Sequence, residues 1–182
     1  MQPNKARTDL AMDLALVAFL VALGVAARLL PHAPGFLPIA ASGLFAARVL
    51  RIPALAVVVP VLAMILSDAL LPGEDWRIQA IGFAAIAIPA VAGLATRCWS
   101  GVLPTVGTMV VSSLLFWLAS NGAVWAFSGM YPLTAAGLSE CYVLALPFLE
   151  KTMLGDLFWM GVLFGGFWLV QRTPVFARVR AR

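Results

Sequence analysis

The chain reads as an all-α integral membrane protein: one domain of six transmembrane helices, with a re-entrant or interfacial segment capping its outer side. Three observations predict this. Of 182 residues, 63% are hydrophobic and only 11% are charged, and the mean hydropathy of +0.99 lies far outside the range of a soluble domain. The apolar residues fall into runs of the length a bilayer core requires, about 20 residues per helix. The charged residues sit at the ends of those runs and in the two tails, where membrane insertion wants them.

The first run, about 10–30, follows Lys5 and Arg7. Asp13 interrupts its start and Val25-Ala26-Ala27 is a poor cleavage site, so it reads as a retained helix and not a signal peptide. The second, about 38–50, is opened by Pro38 and closed by Arg48. It falls short of bilayer thickness and is expected to be tilted, broken or shielded by its neighbours. Spans three, four and five follow at about 53–71, 78–96 and 102–120, and the sixth at about 153–171. The segment 121–152 reads as an outer cap. Gly129, Pro132, Gly137 and Pro147 punctuate it, and Thr134 is placed to N-cap a short helix that ends near Pro147.

Both termini are expected to be cytoplasmic. That orientation puts Lys5, Arg7, Arg48, Arg51, Arg97, Arg172, Arg178, Arg180 and Arg182 inside, against Arg28, Arg77 and Lys151 outside, a clear positive-inside bias. The acids Asp68, Glu74, Asp75, Glu140, Glu150 and Asp156 fall outside, with Asp9 and Asp13 inside. A seventh span at 133–149 would export the basic tail and erase the bias. The expected location is a bacterial inner membrane. The net charge of +4 follows from this helix-flanking pattern and does not indicate nucleic acid. No internal repeat is evident, which weighs against an inverted-repeat transporter.

The unusual polar residues gather at the outer face. Arg28 and His32 follow the first span, Asp68 ends the third, Asn121 and Trp125 follow the fifth, and Asp156 opens the sixth. An ionisable group at membrane depth costs about 2.5–3.5 kcal/mol on insertion scales, so each needs a partner or a ligand. Arg28 is expected to snorkel or to pair with Asp68 or Asp156. His32, in a Pro-rich turn, fits a cap or a ligand contact. Asp68 opposes the dipole of its own helix and calls for a cation. Asp156, in the first turn of its span, is explained equally by capping. Met130, Tyr131, Cys141 and Tyr142 add soft and aromatic groups to the Gly/Pro-jointed cap, more than an aromatic belt requires. On the first span Ala11, Ala15, Ala18, Ala22 and Ala26 form a stripe on which another helix can pack closely.

Enzyme templates fit poorly. There is no HExxH, GxSxG or Walker A sequence, and Cys98 and Cys141 lack metal-site spacing and fall on opposite sides. No intrinsic cofactor is expected, and the chain is not read as an enzyme.

The segments RLLPHAPGFLPIAASGLFAAR, PVLAMILSDALL and FWLASNGAVWAFSGMYPLTAAGLSECYVLALPFLEKTMLGDLFW resemble, in order, an uncharacterised six-helix bacterial membrane family. That family is in turn similar to the substrate-binding S components of energy-coupling-factor (ECF) vitamin transporters. The resemblance covers about 28–165. It implies a bundle that binds a micronutrient in an outward pocket roofed by loops. It also implies a small-residue face on the first helix for an ECF transmembrane coupling protein driven by ATPases, or a component acting alone in the manner of solitary cobalamin-uptake proteins. A corrinoid ligand would make His32 or Cys141 a cobalt ligand, with Met130 on the same face. The sequence departs from that branch in having no thiol at the outer end of the third or fourth span. The expected partners are thus a small-molecule micronutrient, membrane lipid and a coupling complex. The competing expectations are a structural or assembly subunit of a membrane complex and, less favoured, a membrane-embedded enzyme.

Overall fold

The structure is a computed structural model that describes residues 3–31, 35–71, 73 and 75–172. His32, Glu74 and the tail residues Arg178, Arg180 and Arg182 lie outside the described residues. Within them the chain is all α, with no strand: α1 (Pro3–Leu29), α2 (Ile39–Val49), α3 (Leu55–Asp68), α4 (Trp76–Ile86), α5 (Ile88–Ala95), α6 (Val102–Phe127), α7 (Ala135–Leu144) and α8 (Leu146–Gln171). Four stretches are long and apolar enough to cross a membrane: Arg7–Leu29, Trp76–Ala95, Val102–Phe127 and Leu146–Gln171. The second of these is α4 and α5 together, interrupted at Ala87 two residues before Pro89. Proline lacks the N–H for the i−4 bond and its ring crowds that carbonyl, so the helix breaks there.

The centre of the bundle is the short helix α2. Every residue from Ile39 to Ala47 is buried, and α1, α3, α5 and α8 pack around it. Ala40, Ala41, Ser42, Gly43, Ala46 and Ala47 let those neighbours come close. Leu44 and Phe45 fill the remaining space, and the Phe45 ring meets Phe164 and Phe167 edge-on at 5.1 and 5.5 Å. An eleven-residue helix rises only about 16 Å, so its enclosure by α1, α3, α5 and α8 keeps it from lipid.

Helix α1 lies against α3 through Val17, Leu20, Val21 and Gly24. Its opposite side carries Ala11, Ala15, Ala18, Ala22 and Ala26, all exposed. The alanine stripe therefore faces away from this chain's own bundle.

At the end of the bundle bearing the α2–α3 turn, arginines and acids close exposed backbone. Asp13, buried, accepts from the backbone N–H groups of Arg51 and Ile52 at 2.9 and 3.1 Å. Asp9 pairs with Arg51 at 2.7 Å. Arg48 donates to Trp99 O and Thr96 Oγ1, and Arg97 to Leu50 O. Sequence alone assigned these arginines only to topology; in the fold they also satisfy helix-end carbonyls.

At the other end the element bounds differ from the sequence expectation. Helix α6 does not stop near 120 but continues to Phe127, and α8 starts at Leu146, not near 153. No proline stands in NGAVWAF, and α6 runs on through Asn121 and Gly122, the Asn121 amide closing on Trp117 O one turn back. Pro147 sits at the first positions of α8, where its missing N–H costs nothing, so it starts that helix directly behind Ala145. Thr134 does cap α7, its Oγ1 accepting from Gly137 N–H at 3.2 Å. At 26 residues each, α6 and α8 extend about 39 Å, beyond a hydrocarbon core of about 30 Å.

The shift in α8 changes what Asp156 is. It stands ten residues inside the helix, in its third turn, where neither capping nor the dipole explains it. The residue before it, Gly155, is fixed by packing: a Cβ there would lie 2.8 Å from Gly35 O and 2.9 Å from Phe36 Cα. The 35–38 connection thus rests directly on α8, with Phe36 against Phe158 at a centroid distance of 5.1 Å.

Candidate functional site

A cavity of about 690 Å³ opens between α1, α2, α3, α4, α6 and α8 at the α7 end of the bundle. Its volume falls within the range of small-molecule sites, about 300–1,000 Å³. Ile39, Ile78, Ile86, Met64 and Phe116 make most of the wall apolar, and Gly35 brings the connection after α1 to its rim.

Charged and amide groups meet in this cavity. Arg28, in the last turn of α1, pairs with Asp68 at the end of α3 and donates to Ser67 Oγ at 2.8 Å. Gln79, one turn into α4, donates to the other Asp68 oxygen at 3.0 Å. Ser67 passes its own proton to the helix carbonyls of Ala63 and Met64. The carboxylate that opposes its own helix dipole is therefore satisfied by a cation and an amide from two other helices. Both side chains of the pair keep under a fifth of their surface exposed, 19% and 16%.

Asp156 lines the same cavity from α8 and is 3% exposed. Ser113 of α6 lies 2.7 Å from its Oδ2. Among the described residues no Lys or Arg reaches it.

Helix α7 is attached to the other face of α6. Phe116, Ser120 and Val124, four residues apart, face the cavity, while Trp117, Leu118, Asn121 and Trp125 carry the cap. Tyr142 donates its hydroxyl to Leu118 O at 2.7 Å and stacks against Trp117 at 5.0 Å. Cys141 points its thiol at Asn121 O at 3.4 Å. Trp117 Nε1 donates to Ala145 O, and Trp125 Nε1 to Pro132 O. Asn121 spends its own amide on Trp117 O.

The fold thus brings Arg28, Asp68 and Asp156 together and keeps Asn121, Trp125, Cys141 and Tyr142 out of the cavity: Trp125, Cys141 and Tyr142 bind the cap segment to α6 by their side chains and Asn121 by its backbone carbonyl. Met130, 72% exposed, and Tyr131 lie on the connection before α7 and do not line the cavity either.

Sequence reasoning passed over Gln79, Ser113, Ser120 and Thr152. Gln79 was the legible one, as the amide in the otherwise apolar fourth run. The Ser and Thr residues gave no signal, because small hydroxyl residues in apolar helices mostly return their proton to a carbonyl of the preceding turn.

Burial pushes the Cys141 thiol above the ordinary cysteine range, only partly opposed by a hydrogen bond from the Trp125 backbone. The folded state therefore holds this proton longer than the unfolded chain, and the associated stability is complete below the ordinary thiol range and lost as pH rises from there through the raised value of the buried thiol. Cys98 is exposed and Cys141 is buried. A maleimide is expected to modify Cys98 of the folded protein quickly and Cys141 only after unfolding; equal rates by peptide mass mapping would contradict the seated α7.

An all-α bundle with four membrane-length apolar helices around a polar-tipped cavity is the architecture of a multi-pass membrane protein. The chain belongs to DUF6580, a family of unknown function, whose family model matches residues 8–177. No curated protein and no solved structure matches it significantly.

Proposed function

We propose that the protein is a substrate-capturing component of micronutrient uptake, similar in role to an ECF S component. In this reading the chain crosses a bacterial inner membrane six times, with α2 as a shielded short span and α3 as a short span with one side exposed, both termini in the cytoplasm and α7 as an outer cap. One observation carries it: a cavity of small-molecule size whose apolar walls hold an ion pair and a separate buried carboxylate at one end of the bundle. Ionisable groups at membrane depth are retained where they serve a ligand or a pathway. The exposed Ala11–Ala26 stripe supports docking of a coupling helix on α1, since small residues let helix backbones approach.

A corrinoid is the ligand suggested by the resemblance to the solitary cobalamin-uptake branch. The thiol of Cys141, buried beneath α7, reaches a cobalt only if the cap lifts, which leaves His32 as the other candidate ligand. The structural-subunit reading uses the same alanine stripe without the cavity.

The test is the mass spectrum and visible absorption of whatever copurifies, compared between the parent and Ser120→Trp, which places an indole in the cavity. A stoichiometric solute present in the parent and lost in the variant supports capture, and a red preparation identifies a corrinoid. Retention of the same solute by Ser120→Trp, or failure of any vitamin to bind either protein, transfers the lead to the structural subunit.

Orientation has its own test. In intact cells an impermeant maleimide is expected to label Ser128→Cys, at the α6–α7 connection, and to leave Cys98 at the opposite end untouched. The reverse pattern inverts the topology and turns the cavity toward the cytoplasm.

A further inference from the structure

The capture reading leaves a charge unexplained. Among the described residues the titratable groups lining the cavity are Arg28 from α1, Asp68 from α3 and Asp156 from α8, while α2, α4 and α6 contribute apolar side chains with Gln79 and Ser120. Helix α7 turns its titratable Cys141 and Tyr142 to the α6 backbone, and Glu140, Glu150 and Lys151 are exposed. Arg28 and Asp68 neutralise one another. Asp156 is left with one hydroxyl, and among the described residues its second carboxyl oxygen has no partner.

That hydroxyl has a single proton and two acceptors in reach. Ser113 Oγ lies 2.7 Å from Asp156 Oδ2 and 3.0 Å from Met109 O. Either Ser113 donates to an ionised Asp156, or it donates to Met109 O and accepts from a protonated Asp156. Both arrangements satisfy the serine, so the site holds a proton or a negative charge without rearranging. An uncompensated charge is unfavourable in such surroundings, which assigns the protonated form to the empty cavity and the ionised form to a cavity containing a cation.

We infer that Asp156 receives the cationic group of an organic monocation, an amine or quaternary ammonium with an apolar body, in exchange for its own proton. The inference rests on the capture reading and names the substrate class of that cavity. The protonated carboxyl and the free cation become a carboxylate–cation pair and a released proton, one proton for each cation bound. Ile39, Ile78 and Ile86 suit the apolar body, and the face of Phe116 attracts a cation. A small inorganic ion needs several oxygen, nitrogen or sulfur ligands; among the described residues no three His, Cys, Asp or Glu side chains converge.

The probe is benzyltrimethylammonium, whose charge is fixed at every pH, titrated into the detergent-purified full chain beside its neutral carbon analogue neopentylbenzene and the anion benzoate. The cation is expected to bind best, tightening about tenfold per pH unit on the acid side as one proton is displaced and levelling at higher pH. Asp156→Asn, which retains a hydrogen bond to Ser113, is expected to lose about tenfold or more of the affinity at high pH and all of its pH dependence, with an unchanged melting curve. In the infrared, the protonated-carboxyl stretch of the empty protein should fade as the probe binds and be missing from Asp156→Asn. Ser113→Ala keeps the carboxyl but removes the donor to its ionised form, so tightening should require higher pH; this variant keeps the assignment falsifiable if Asp156→Asn does not fold. Equal cation affinity in parent and Asp156→Asn, pH-independent binding, or preference for benzoate or the neutral analogue with binding still blocked by Ser120→Trp overturns the assignment while leaving solute capture standing. If none of the three probes binds and no solute copurifies, the assignment and the capture reading fall together.

Discussion

Arg28→Met or Asp68→Leu alone lowers stability by about 2–3 kcal/mol, while the double replacement Arg28→Met/Asp68→Leu loses less than the sum and less than the worse single change. Each single change leaves a charge against apolar wall, and the hydrogen bond it keeps, from Arg28 to Ser67 Oγ or from Gln79 to Asp68, does not neutralise it. Breaking a largely buried pair is costly for that reason, whereas replacing both charges with apolar groups of similar size is frequently close to neutral. Chemical unfolding in a fixed detergent or lipid, arranged as a double-mutant cycle, measures the coupling. Strictly additive losses would mean that the two charges act independently. The same cycle separates structure from binding: a double variant that folds but no longer retains solute makes the pair part of the site as well as of the frame.

Gly137→Ala is the second large effect expected, and it acts on the cap. A Cβ at this position would stand 2.1 Å from Pro132 O, the carbonyl that accepts from Trp125 Nε1. Neither partner can yield, since Gly137 lies in the first turn of α7 and Pro132 O is held to α6. Overpacking of this kind costs about 1–3 kcal/mol and at times more, and here we expect the upper end. Lifting of α7 should be read directly by Cys141, whose buried thiol would react with maleimide in Gly137→Ala under conditions where the parent resists. Gly161→Ala on α8 is the control. A Cβ there meets nothing within 4 Å, and removing the backbone freedom of a mid-helix glycine should stabilise by about 0.5–1 kcal/mol. If Gly137→Ala is as stable as Gly161→Ala and Cys141 stays protected, α7 does not sit on α6 as described.

The division between what could be read from the chain and what could not follows from how each feature is encoded. Membrane character, the helical class and the approximate position of the long spans are properties of local composition: a run of about 20 apolar residues has one stable form in lipid, because its backbone must satisfy itself. That Arg28 and the acids near it call for opposite charges was legible for a related reason, since few charges are available at membrane depth, but both Asp68 and Asp156 stayed open as the partner of Arg28. Thr134 as the cap of α7 was legible from side-chain chemistry alone. Element ends were less so. Asn121-Gly122 is a local turn signal that the fold overrides, and nothing in the string states that α6 carries on past it or that Pro147 opens a helix instead of closing one.

Tertiary structure decided which polar residues share a space. Asn121, Trp125, Cys141 and Tyr142 looked like a binding roof because they cluster in sequence. In the fold they serve one face of α6 while Ser120 and Val124, beside them in the chain, serve the other. A helix turns about 100° per residue, so neighbours in sequence point to different surroundings, and only the docking of α7 fixes which face is covered. Asp156 shows the same dependence. Composition marked it as unusual, but the start of α8 at Leu146 removes the capping explanation, and the packing of α8 on α6 beside Ser113 sets it at the cavity wall. The sequence by itself determined that this chain is a bundle of apolar helices with a few costly charges. Packing alone determined that Arg28 and Asp68 satisfy each other and that Asp156 does not share in that neutrality, because charge compensation depends on distances between helices that no local run of residues encodes.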